Sequence, residues 1–128
     1  MSKLRVLLVE DNLLNRQLAR DILEYRGHEV VVAASVEEAR FQLRLSTPDI
    51  VLLDIQIPGD GETLAKEIRA NPALKGLPVI AVTAYAMEGD RDRLLSVGFD
   101  AYIAKPIDTK HFGPTVESFI KTGEQSNG

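Results

Sequence analysis

The chain has no cysteine among its 128 residues, which removes disulfides, zinc-thiolate sites and thiol nucleophiles together. Nothing in it requires an oxidising compartment. No apolar run approaches the roughly 20 residues of a membrane-crossing helix, and the amino terminus lacks the charged-then-apolar order of a secretory leader. Long basic runs are missing too. Fifteen Lys and Arg stand against 19 Asp and Glu, a net charge of -4, which argues against nucleic acid as a partner. With no internal repeat and no linker, the expectation is one soluble, cytoplasmic domain. At 45% hydrophobic residues it has the material for one ordinary core.

What is present is regular alternation. Short apolar runs alternate with longer segments of helical period, the pattern of an α/β domain. Strands are expected at Leu4–Val9, Glu29–Ala33, Asp49–Leu53, Pro78–Val82 and Ala101–Ala104. Several are apolar on both alternations, as in a parallel sheet covered on both faces. Asn12–Tyr25 spaces Leu14, Leu18, Ile22 and Tyr25 as a helix, with Gly27 as its stop. Ser35 and Glu38 form a capping-box pattern ahead of Ala39 and Leu43. Leu64 and Ile68 mark a third helix ended near Asn71-Pro72, and a fourth spans about Met87 to Val97, closed by Gly98. In the fifth, Gly113-Pro114 puts a proline where the second turn would be. A short irregular turn is therefore expected first, with regular helix from near Pro114. The final "KTGEQSNG" reads as disordered, so the domain is placed at 1–122 and a tail at 123–128.

In a doubly wound sheet, ligands sit beyond the carboxyl ends of the strands. The first strand ends at Glu10-Asp11, the third at Asp54, the fourth at Thr83 and the fifth at Lys105-Pro106. Three carboxylates, a hydroxyl and an ammonium thus converge on one edge. Clustered carboxylates raise one another's pKa unless a cation joins them, and a hard divalent ion such as magnesium suits a site that meets a phosphoryl group.

The stretches "VLLVEDNLLNRQ", "DIVLLDIQIPG", "VIAVTAYA" and "AYIAKPID" resemble the phosphoacceptor receiver domains of two-component signalling, over about residues 4 to 121. In appearance they are most similar to single-domain regulators of cell-cycle type and to the receivers of hybrid histidine kinases. The resemblance implies a flavodoxin-like fold, a five-stranded parallel sheet in the order 2-1-3-4-5. It implies that Asp54 takes a phosphoryl group from a sensor histidine kinase or a histidine phosphotransfer protein. Mg2+ would be bound by Asp11, Asp54 and the backbone carbonyl of Gln56, with Glu10 holding metal-bound water. Lys105 would pair with one phosphoryl oxygen and Thr83 with another, and the Lys105-Pro106 peptide would be cis. Gln56 and Tyr85 match positions that modulate hydrolysis of the phosphate. Tyr102 matches an aromatic that turns inward with Thr83, reshaping the surface of the fourth helix, fifth strand and fifth helix for a downstream protein. Such a domain catalyses only its own phosphorylation and dephosphorylation. Met1 and the polar tail favour a protein without an output domain.

Two features depart from the pattern. After the phosphoacceptor most receivers read Pro-x-Met-Asp-Gly, whereas here Pro58-Gly59-Asp60-Gly61 is one residue shorter. A tighter turn and an altered start to the third helix are expected, since glycines can take angles closed to other residues, with the pocket carbonyl of Gln56 retained; magnesium affinity is the property exposed to this change. Gly113-Pro114 is the second departure and bears on partner recognition. Other classes fit less well. A phosphatase of the haloacid-dehalogenase type needs a second aspartate two residues after the first, where Gln56 stands. A flavodoxin-like cofactor module needs a phosphate-cradling loop, where "EDNLLN" offers carboxylates. A pseudo-receiver that docks partners without phosphorylation conflicts with the intact constellation.

Overall fold

The computed structural model describes residues 3–74, 76–84 and 89–127, with side chains as far as 120. Five strands and five helices alternate: β1 (Arg5–Val9), α1 (Leu13–Tyr25), β2 (Glu29–Ala33), α2 (Val36–Leu45), β3 (Ile50–Asp54), α3 (Gly61–Ala70), β4 (Val79–Thr83), α4 (Asp90–Val97), β5 (Ala101–Ala104) and α5 (Phe112–Asn127). A 3-10 turn, Pro72–Leu74, precedes β4. All strand pairs are parallel and the order is β2-β1-β3-β4-β5. This is the expected flavodoxin-like sheet. No helix among the described residues is long and apolar enough to cross a membrane.

Alternation along each strand feeds two cores. Leu7, Val9, Val51, Leu53, Val79 and Ala81 face α2, α3 and α4, meeting Val36, Ala39, Leu64, Ile68, Leu94 and Phe99. Val6, Leu8, Ile50, Leu52, Ile80 and Val82 face α1 and α5, meeting Ala19, Leu23, Phe112 and Val116. Burial of both faces accounts for the uniformly apolar strands.

Three local expectations change. The Leu14-Leu18-Ile22-Tyr25 spacing does mark a helix, but its core face is Ala19 and Leu23, while Leu14 is 78% and Tyr25 94% exposed. Of that stripe only Ile22 packs against the core, while Leu14 and Tyr25 lie on the exposed flank. Ser35 caps α2 by accepting from the Glu38 amide at 3.1 Å, yet the Glu38 carboxylate returns to the amide of Ala34, not to that of Ser35. The irregular turn ahead of α5 is present, but the helix begins two residues early, at Phe112. Pro114 then falls in the first turn, where an amide proton has no intrahelical partner anyway. The helical backbone continues to Asn127 across most of the segment assigned to a tail, and Gly128 lies outside the described residues.

Candidate functional site

The ends of the strands bring together the groups expected there. Asp54 and Thr83 are the last residues of β3 and β4, in register with Val82 and Ala104. Glu10 follows β1 and Lys105 follows β5. Glu10 is 3%, Asp54 7% and Thr83 3% exposed, whereas Asp11 faces solvent. Carboxylate oxygens of Glu10, Asp11 and Asp54 all lie within 4.8 Å of one another.

Lys105 is the cation held against this cluster. Its Nζ stands 2.7 Å from Glu10 Oε1 and 3.0 Å from Asp54 Oδ2. The following Lys105-Pro106 peptide is cis, as expected, and Pro106 is exposed. The other oxygens of both acids accept backbone amides: Asn12 N–H donates to Glu10 Oε2 at 3.1 Å, and Gln56 N–H to Asp54 Oδ1 at 3.0 Å. Arg16 Nη1 donates to the Glu10 carbonyl at 3.3 Å, tying α1 to the turn that carries the acids. None of these three supporting contacts was read from the sequence. Asn12 and Gln56 act through their backbones, which no side-chain pattern reports.

The charges do not balance. Burial pushes the Glu10 carboxyl above its ordinary range, more than Lys105 and the Asn12 amide pull it down, and Asp54 adds to the rise. Burial also opposes the Lys105 ammonium, but its hydrogen bonds to Glu10 and Asp54 carry its pKa above the usual lysine value. A cluster of hard oxygens, one of them exposed on Asp11 and short of positive charge, has the donor chemistry of a magnesium site.

Tyr102 pairs with Ala81 across β4 and β5 and packs half-buried against the core that holds Leu94 and Phe99. Thr83, two residues beyond Ala81, shares that sheet face. Tyr85 lies outside the described residues.

Residues 6–117 match the family model described as the response regulator receiver domain. Among curated proteins, the chain is similar to the polar-differentiation response regulator DivK of Brucella ovis, 42% identical over 116 residues, covering 90% of this chain and 94% of that protein. Among solved structures, it is similar to a CheY-like response regulator receiver domain protein from Methanospirillum hungatei (TM-score 0.86, 28% identity, 98% of this chain and 99% of that one). It is also similar to the receiver domain of a sensor histidine kinase from Pseudomonas aeruginosa, solved with a magnesium ion in its active-site cleft (TM-score 0.84, 31% identity, 94% and 99% covered). With the sheet order and the acid pocket already in place, these matches settle the family: the chain is a response regulator receiver domain of two-component signalling.

Proposed function

We propose that Asp54 is the phosphoacceptor, and that the domain takes its phosphoryl group from a phosphohistidine of a histidine kinase or histidine phosphotransfer protein. The observation that carries this reading is the Lys105 ammonium 3.0 Å from a buried Asp54 carboxylate ringed by Glu10 and Asp11. In the transfer, an Asp54 oxygen bonds to phosphorus as the bond from phosphorus to the donor imidazole breaks, the electron pair leaving with the ring. Asp54 Oδ1 is held by the Gln56 amide, which fixes the carboxylate for attack. Lys105 already reaches the pocket and would pair with a phosphoryl oxygen. The Thr83 hydroxyl would donate to another, drawing β4 and Tyr102 with it.

Asp11, Asp54 and the Gln56 carbonyl would hold Mg2+, with Glu10 behind them, and the bound ion would offset negative charge on the phosphoryl oxygens. The magnesium in the Pseudomonas aeruginosa cleft supports this assignment. The exposed apolar flank of α1 opens directly after Asn12, at Leu13 and Leu14, and continues through Leu18 to Tyr25. An apolar strip beginning beside the acid pocket supports a protein as the phosphodonor. Output would run through α4, β5 and α5, and the domain would catalyse only its own phosphorylation and dephosphorylation. Acetyl phosphate with magnesium should place one phosphoryl group on the wild-type chain and none on Asp54→Asn of unchanged fold, read by intact mass. Label retained on Asp54→Asn would sink the assignment.

A further inference from the structure

The shortened segment between Asp54 and α3 is built in an unexpected way. Of the two glycines, only Gly59 takes a left-handed angle (φ 96°), and the next left-handed residue is Asp60 (φ 71°). Asp60 holds that angle while its carboxylate accepts from the Glu62 amide and the Thr63 hydroxyl. Gly61 has a different task. A Cβ there would stand 2.6 Å from the Asp54 carbonyl oxygen, 2.8 Å from Ile55 Cα and 2.9 Å from the Ile55 carbonyl oxygen, all of them backbone atoms. Its amide donates to that Ile55 carbonyl at 3.0 Å. The first residue of α3 is therefore seated directly on the Asp54-Ile55 peptide.

That peptide lies between two groups the site uses. On one side is the Asp54 carboxylate, and on the other is Gln56, whose amide holds that carboxylate. We infer that Gly61 is a positioning residue: by lacking a side chain it lets α3 press on the Asp54-Ile55 peptide, fixing the aim of the Asp54 carboxylate and of the Gln56 backbone toward a bound divalent ion. This rests on the reading of the site given above.

Gly59 supplies the control within the same loop. Its Cβ would meet the Val36 side chain at 2.8 Å, and its φ is also unfavourable to a side chain, so Gly59→Ala strains the fold without touching the Asp54 peptide. Magnesium affinity of the metal-free full chain, measured calorimetrically, separates the two. Gly61→Ala should bind magnesium about tenfold or more weakly, the size typical of groups that orient metal ligands. It should also need more magnesium to half-saturate labelling by acetyl phosphate. Gly59→Ala should melt lower than wild type yet bind magnesium as tightly. If Gly61→Ala does not fold, amide hydrogen exchange of the wild-type chain decides instead: the Gly61 amide, which donates to the Ile55 carbonyl, should exchange more slowly together with the Gln56 amide when magnesium is added. A Gly61 amide indifferent to magnesium overturns the inference. Wild type that binds while Gly61→Ala binds equally well overturns the positioning role alone. Wild type that binds no magnesium overturns the site reading and this inference with it.

Discussion

Two buried groups of charge lie at opposite ends of the same strands, and they are built on opposite principles. At the carboxyl edge, Glu10, Asp11 and Asp54 share one ammonium, Lys105. At the amino edge, Glu117 of α5 is buried and fully paired. Arg26 grips both of its oxygens at 2.7 Å, and His28 Nε2 stands 2.7 Å from Oε2. The Leu4 amide donates to His28 Nδ1 at 3.1 Å, so the ring's proton sits on Nε2 and points at Glu117. Gly113 explains itself here, since a Cβ on it would fall 2.2 Å from Arg26 Cδ. The glycine of the irregular Gly113-Pro114 pair makes room for the arginine that locks α5 to the α1-β2 turn. A satisfied cluster fixes the fold, whereas an unsatisfied one stores a preference for an incoming cation.

The sharpest way to break this contrast is to neutralise one acid in each cluster without metal. Glu117→Gln should cost on the order of 3 kcal/mol, as for a buried pair that loses one partner, and lower the melting temperature by about 10 °C. Glu10→Gln should hold or raise it, because Lys105 keeps Asp54 at 3.0 Å and a carboxyl burdened by burial is gone. Melts in the presence of a chelator check both. Equal losses would mean that the acid pocket is structural and the comparison false.

Acidity gives the second, smaller test, since the two acids must respond with opposite sign. Glu117 is held down to about 2 from 4.5, first by its Arg26 hydrogen bonds and then, against burial, by His28. Its folded-state value lies below the unfolded one, so its contribution is present above pH 4.5 and is lost as pH falls toward about 2. Glu10 is raised, burial first, so the folded chain binds its proton more readily than the unfolded chain. Acidification from neutrality toward the carboxylate range should therefore stabilise the metal-free protein before the Glu117 loss begins. Magnesium should raise stability at neutral pH and remove the Glu10 limb while leaving the Glu117 limb in place. Urea melts across pH, with and without magnesium, would show it. A metal-independent profile would count against an unbalanced pocket.

The two ends were unequally legible in the sequence, for physical reasons. The acid edge is carried by charged residues that stop apolar runs, and a local pattern reports them. Even the small error there has a cause: Asp54 and Thr83 read as following their strands because they are polar, but the backbone ladder continues through them. The contact of Lys105 with Glu10 was missed, since chain order does not say which acid an ammonium meets. At the other end, Arg26 and Glu117 are 91 residues apart, and neither belongs to a motif. The buried face of α1 was illegible for a similar reason. Leu14, Leu18 and Tyr25 fit a helical stripe as well as Ala19 and Leu23 do, and only the packing of the sheet selects which of them is buried.

The smallest expected effect asks whether fork geometry or burial sets the worth of such a pair. Arg40 and Glu67 join α2 to α3 by the same two-pronged contact, Nε to Oε1 at 2.8 Å and Nη2 to Oε2 at 2.6 Å. Here the side chains are 36% and 42% exposed, against 31% for Arg26 and 5% for Glu117, so the acids differ more than the arginines do. The Arg40 hydrogen bond lowers the Glu67 pKa, and its effect outweighs partial burial. Water and salt screen this pair, and exposed pairs contribute little once two long side chains are ordered. Glu67→Gln should therefore lower the melting temperature only slightly at low ionic strength, and the difference should vanish near 1 M salt, where screening acts over about 3 Å. The loss in Glu117→Gln should fade less under the same conditions, because Glu117 and His28 are buried even though Arg26 is 31% exposed. If both losses fade with salt in parallel, the amino-edge cluster is solvated and its geometry, not its burial, is what distinguishes it from the acid pocket.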